Sequence, residues 1–221
     1  MNDRGVDGDQ AVGQEGHIMT VLVGTLIGVV GAVLLRPIVR HHTATNSPVW
    51  FGAPIVAVTA GAMTSQTDSV LLSVALGSFA ASIVALSEID LKVRRLPREI
   101  SYPATITGVV LLVTDALMRD RADRVLMVLA GAAAFTVAML VLFVIGRGSL
   151  GEGDVRVAPL LGSFLGYWSP GLVLPALLVA SLVAAVVGLV LAVVKRTGRS
   201  TTLPFGPFLA LGTVVILMTA Q

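Results

Sequence analysis

Long apolar runs alternate with short links rich in charge, glycine and proline along most of the chain. The first run covers residues 17–39 and ends among Arg36, Arg40, His41 and His42. A helix of about 20 apolar residues crosses a hydrocarbon core, so this run is long enough to span. A polar link over 40–48 leads to a shorter run, 49–63, which crosses only if it is untilted or its ends are shielded by neighbours. The third run, 70–89, delivers Asp90 at its end; Lys92, Arg94, Arg95 and Arg98 follow, and Pro97 breaks any continuing helix. Runs 102–118 and 125–145 flank the mixed-charge turn 119–124 and read as a helical hairpin. After the glycine-rich loop 146–153 come a sixth segment to Trp168, a Ser169-Pro170-Gly171 turn and a seventh run to Val194. Lys195, Arg196 and Arg199 stop that run, and a last one covers roughly 203–218. The pattern predicts an all-α, polytopic membrane helix bundle of about eight transmembrane segments, without internal repeat or soluble domain.

Composition narrows this further. With 55% hydrophobic and 13% charged residues and a mean hydropathy of +0.91, a soluble globule is excluded. Leu, Val, Ala and Gly supply the apolar bulk, which suits closely packed helices and lacks the alternation of a barrel. The absence of cysteine excludes disulfides, zinc–thiolate sites and a thiol nucleophile. Nothing supports a nucleic-acid partner. Residues 1–16 carry Asp3, Asp7, Asp9 and Glu15 against Arg4, the wrong sign for the start of a signal peptide. A disordered extracytoplasmic tail is expected there, followed by two membrane segments over 17–63 joined by a short cytoplasmic link, and a six-helix core over 64–221.

Lys and Arg set orientation in such a chain. With the N-terminus outside, one side collects Arg36, Arg40, Lys92, Arg94, Arg95, Arg98, Arg147, Arg156, Lys195, Arg196 and Arg199, eleven of the fifteen basic residues. That side is expected to be cytoplasmic, and Asp90 and Asp154 both fall on it.

Those two acids are the candidate chemistry. Ionisable residues within or at the ends of membrane helices are costly and point to function. Peptide hydrolysis by an acid pair needs one carboxylate to activate water while its protonated partner donates to the scissile carbonyl. Two adjacent carboxyls arrange this because they cannot both ionise cheaply and so hold one proton between them. The glycines of Gly151-Glu152-Gly153-Asp154 would let the backbone approach an extended substrate and adopt angles closed to other residues. Glu152 is assigned no chemistry. Ala158, Gly162 and Gly166 follow at i+4 spacing, a stripe of small residues expected to pack this helix inside the bundle. Simpler readings compete: an aspartate at a helix start is commonly an N-cap, and Asp90 beside arginines could be a surface ion pair. The run from Lys92 to Arg98 reads as a topology anchor. His41 and His42 are adjacent, so they share no helix face and read as a polar loop; no metal and no cofactor is expected. Asp115, near the far end of its helix, is expected at the interface.

Three blocks together carry a resemblance. Asp90 followed by Leu96-Pro97, the segment GEGDVRVAPLLGSFLG from Gly151 to Gly166, and LPFGPFLALG from Leu203 to Gly212 resemble, in order and spacing, the motifs of the type IV prepilin peptidases, which are GxGD membrane aspartyl proteases. The resemblance covers about residues 70–221. It implies that Asp90 and Asp154 are the catalytic pair and that 64–221 is the peptidase core. It also implies that Gly151, Gly153, Pro97 and the Pro204-Phe205-Gly206-Pro207 block support the motif or line the substrate path. Substrates would be prepilins or pseudopilins of a type IV pilus or secretion system, cut at the cytoplasmic face of the inner membrane. Arg98 stands where a small polar or acidic residue is common, and Arg156 where lysine is frequent. Bifunctional members carry a cysteine-rich cytoplasmic insert and N-methylate the mature pilin; here the corresponding link is only 40–48, so cleavage without methylation is expected. Two other readings remain: the presenilin-like branch, disfavoured because the last-helix block is Pro-Phe-Gly-Pro, and a small transporter or assembly scaffold whose acids bind a proton or cation.

Overall fold

The computed structural model describes residues 6–43, 52–65, 67–94, 96–147, 151–195 and 204–220. Among them the chain forms α1 (Val6–Thr43), α2 (Gly52–Thr64), α3 (Val70–Val93), α4 (Arg98–Met118), α5 (Ala122–Ile145), α6 (Glu152–Trp168), α7 (Val173–Lys195) and α8 (Gly206–Ala220), with a 3-10 turn over Pro170–Leu172. The bundle is all-α, as the apolar runs predict, and the chain is a multi-pass membrane protein.

Several boundaries differ from the sequence expectation. Helix α1 starts at Val6 rather than near His17 and so takes in most of the stretch expected to be disordered. The same helix runs on to Thr43, so His41 lies on its last turn and not in a loop. Helix α4 begins at Arg98, immediately after Pro97, one turn ahead of the apolar run. Of the eight segments expected to span, five contain a stretch that is long and apolar enough, in α1, α3, α4, α5 and α7. Helices α2, α6 and α8 have 13, 17 and 15 residues. Most of the link after α1, together with Arg95, Arg196, Arg199 and Leu203, lies outside the described residues.

Glycines fix how the helices approach. A Cβ on Gly28 would meet Val56, Ala60 and the Gly77 carbonyl oxygen, and one on Gly31 would meet Ala81, so α1 lies in close contact with α2 and runs parallel to α3. Along α5 and α6 the pattern is antiparallel, with Gly131 facing Gly162 and Gly166, and Phe135 facing Gly162. The stripe on α6 thus packs against α5, backbone to backbone, which is what small residues permit between membrane helices. The core between α3 and α6 is marked by Phe79 and Phe164, stacked at a 4.2 Å centroid distance. Outward-facing residues are apolar, including Leu22, Leu26 and Leu34 on α1 and Leu178, Leu182 and Leu189 on α7. That distribution suits contact with lipid chains. These directions put the last turn of α3 and the first turns of α4 and α6 at one end of the bundle.

Candidate active site

Asp90 stands in the last turn of α3, which closes with Arg94 in the left-handed region (φ 54°) donating its backbone N–H to the Asp90 carbonyl at 2.9 Å. Asp154 stands in the first turn of α6, where its N–H donates to the Gly151 carbonyl at 3.1 Å. Both side chains are buried, with 6% of Asp90 and 5% of Asp154 exposed. They meet at the start of α8. The Gly206 N–H donates to Asp90 Oδ2 at 3.1 Å. A Cβ placed on Gly206 would lie 2.8 Å from that oxygen and 3.6 Å from Asp154 Oδ1. One oxygen of each carboxylate therefore falls within 3.6 Å of a single point that only a glycine leaves empty. Two carboxyls so placed can share one proton, one accepting from water and the other donating to a carbonyl.

The pair opens into a cavity of about 520 Å³ lined by Ile89, Val93, Leu96, Pro97, Arg98 and the Gly151–Asp154 turn, with Arg94, Glu99 and Arg156 around it. Leu96, 5% exposed, packs onto Gly153: a Cβ on that glycine would sit 2.8 Å from the Leu96 Cβ. The Leu-Pro pair and the second glycine of the loop are thus two sides of one contact. Gly151 is the N-cap of α6 with φ −71° and ψ 138°, angles open to any residue. The expectation of glycine-only angles is therefore corrected; close approach is what Gly153 and Gly206 supply. Glu152 points outward and pairs with Arg156 at 2.7 Å, one turn on. Among the described residues no group of three or more His, Cys, Asp or Glu is placed to hold a metal ion.

The sequence pattern of the type IV leader peptidase family matches residues 77–193, which include both aspartates. The chain belongs to that family. A prepilin leader peptidase/N-methyltransferase of Xanthomonas campestris pv. campestris is 31% identical over 134 residues, covering 61% of this chain and 46% of the relative. One from Burkholderia pseudomallei is 30% identical over 193 residues, 84% of this chain and 60% of the relative. A type 4 prepilin-like proteins leader peptide-processing enzyme of Escherichia coli is 34% identical over 138 residues, 62% of this chain and 48% of the relative. The chain spans about half to three-fifths of the length of these relatives. No solved structure matches it.

In this type IV leader peptidase family chain the Pro-Phe-Gly-Pro block lies beyond the matched residues yet reaches the aspartates. Gly206 is the first residue of α8, and the Phe205 carbonyl accepts from Phe208 and Leu209 at 3.0 and 3.1 Å, closing the first turn. Pro207, in that first turn, lacks an N–H where the helix has no use for one. The sequence expectation for the block was motif support or lining of the substrate path, without a partner named for Gly206. The signal for more was a glycine between residues with no room to yield, at a position that keeps its N–H. Asp115 has partners that its place in the sequence did not reveal. It is 2% exposed; it accepts from Ser69 Oγ and the Tyr167 hydroxyl and faces Arg119 at 3.5 Å. Satisfied partners on three elements are what permit a carboxylate to be buried there.

Proposed function

We propose that this chain is a membrane aspartyl endopeptidase that removes the leader peptide of prepilin or pseudopilin-like substrates, with Asp90 and Asp154 as its catalytic pair. The observation that carries the reading is the convergence of the two carboxylates on the Gly206 position. The ionised carboxyl takes a proton from water, the resulting nucleophile attacks the scissile carbonyl, and the protonated carboxyl gives its proton to the carbonyl oxygen; as the intermediate collapses the first carboxyl passes the water's proton to the leaving nitrogen, the C–N bond breaks, and the second carboxyl takes back its proton. The names and family of the relatives support leader peptides as substrates. The basic-residue count supports an inner-membrane protein with its N-terminus outside and the pair at the cytoplasmic face. The lack of any cysteine supports cleavage without N-methylation.

The test is co-expression with a candidate prepilin, following leader removal by mass for wild type, Asp90→Ala and Asp154→Ala at equal membrane levels. Both variants are expected to lose cleavage equally, since neither carboxyl can play both roles. Cleavage that survives either substitution removes that aspartate from the mechanism. No cleavage by wild type across several leaders rejects the reading, and a methylated product N-terminus made by the purified protein alone rejects the exclusion of methyl transfer.

A further inference from the structure

At the end of the bundle remote from the carboxylate pair, four helices are tied together by polar side chains. Ser69 caps α3, its Oγ accepting from the Leu72 N–H at 3.2 Å and donating to Asp115 near the end of α4. The other Asp115 oxygen accepts from the hydroxyl of Tyr167 in the last turn of α6. Arg124, in the first turn of α5, donates to the Tyr167 carbonyl at 2.9 Å and lies over its ring at 4.8 Å. Asp115 thus clasps the far ends of α3 and α6, the two helices whose near ends carry Asp90 and Asp154.

We propose that Asp115 is a positioning residue: its bonds to Ser69 and Tyr167 set the axial register of α3 against α6, and with it the spacing of Asp90 and Asp154. The inference rests on the aspartyl endopeptidase reading for its consequence in catalysis, but its geometry is independent of it. Between the two ends, α3 and α6 meet through Phe79 stacked on Phe164, and α4 fits against the same ring through Gly108. Apolar side chains in lipid supply contact area without direction, so they restrain sliding along the axis weakly, whereas a carboxylate bonded by two hydroxyls has one geometry. From Asp154 to Tyr167 helix α6, which continues through Pro159, carries that register over ~20 Å. Stability alone does not account for the cluster, because a buried ionic group of this kind is commonly replaceable by apolar residues without loss.

The chain has no cysteine, so an introduced pair reports distance without background. Val93→Cys and Glu152→Cys flank the cavity on α3 and α6. Their separation is measured by spin labelling in membranes in three backgrounds: otherwise unchanged, Tyr167→Phe and Asp115→Asn. Leader cleavage is measured for the two single variants without the cysteine pair. Expected are a shifted or broadened distance distribution in both backgrounds and a kcat lower by about ten- to a hundredfold with KM within twofold, the pattern of misplaced catalytic groups. An unchanged distribution in both overturns the proposal, as does activity that falls only in proportion to the amount of folded protein. Should Asp115→Asn fail to accumulate, Ser69→Ala is measured in its place, with the same readings deciding. If wild type cleaves no leader, the endopeptidase reading fails while the distances still decide the register.

Discussion

Gly206→Ala is expected to lower both activity and stability. The new Cβ would stand 2.8 Å from Asp90 Oδ2, closer than carbon and oxygen pack, and 3.6 Å from Asp154 Oδ1. Backbone φ at this position is not in the left-handed region, so the helix itself accepts alanine, and loss of glycine's freedom in the unfolded chain favours the folded state by about 0.4–1 kcal/mol. The carboxylate must therefore give way. Turning it off its rotamer costs about 0.5–1.5 kcal/mol, and losing the 3.1 Å bond from the Gly206 N–H costs a further ~1.5–3 kcal/mol for a charged acceptor. A total of about 2–4.5 kcal/mol taken from the arrangement proposed to perform hydrolysis is about 30- to 2000-fold in rate, and the same loss in the folded state outweighs the gain from the unfolded chain. The assay is leader removal by mass at equal membrane levels, beside thermal unfolding in detergent. Activity within threefold of wild type would refute the claim that the glycine's empty space holds the two carboxylates in place.

Gly153→Ala is expected to destabilise by about 1–3 kcal/mol by the cost of overpacking, because its methyl would meet the Leu96 Cβ at 2.8 Å; Leu96→Gly, which removes that Cβ, is expected to cost less stability in the Gly153→Ala background than in wild type, and a double-mutant cycle on thermal unfolding without coupling would reject that contact. Gly162→Leu drives a side chain into the Gly131 carbonyl and Phe135 Cβ, where backbone cannot retreat, so membrane accumulation is expected to collapse; normal accumulation with activity intact would show that the stripe on α6 does not pack against α5.

The parts of this fold that were legible in the sequence are those written in strings of adjacent residues. Helix ends fell within a few residues of the apolar runs because charged links interrupt them, and because Pro97 allows a helix to begin just after it but not to run through it. Asp90 and Asp154 stood out as isolated acids bordering apolar segments. What escaped notice depends on pairs far apart. The Gly206 amide reaches Asp90 across 116 positions, and a backbone donor leaves no trace in residue identity. Asp115 lies beside the charged turn 119–124, so its neighbours in sequence say surface; its burial is decided by Ser69 and Tyr167, 46 and 52 positions away. The acidic stretch before residue 17 was read by composition as disorder, yet composition says little about whether an adjoining helix extends through it.

The three motif blocks have a common physical meaning: each marks a helix beginning. Leu96-Pro97 precedes α4, Gly151 caps α6 and Phe205-Gly206 opens α8, and all three starts lie around the last turn of α3 that carries Asp90. A helix start exposes backbone N–H groups without internal partners and the positive end of its dipole. At the start of α8 one such N–H, that of Gly206, is donated to Asp90 at 3.1 Å and offsets part of the cost of burying that acid. Proline and glycine serve the arrangement in complementary ways: Pro97 starts a helix without needing a donor, whereas Gly206 starts one while keeping the donor that Asp90 accepts from. A leader peptidase of this form would thus draw its reactive site from side chains on two helices and a backbone donor from a third.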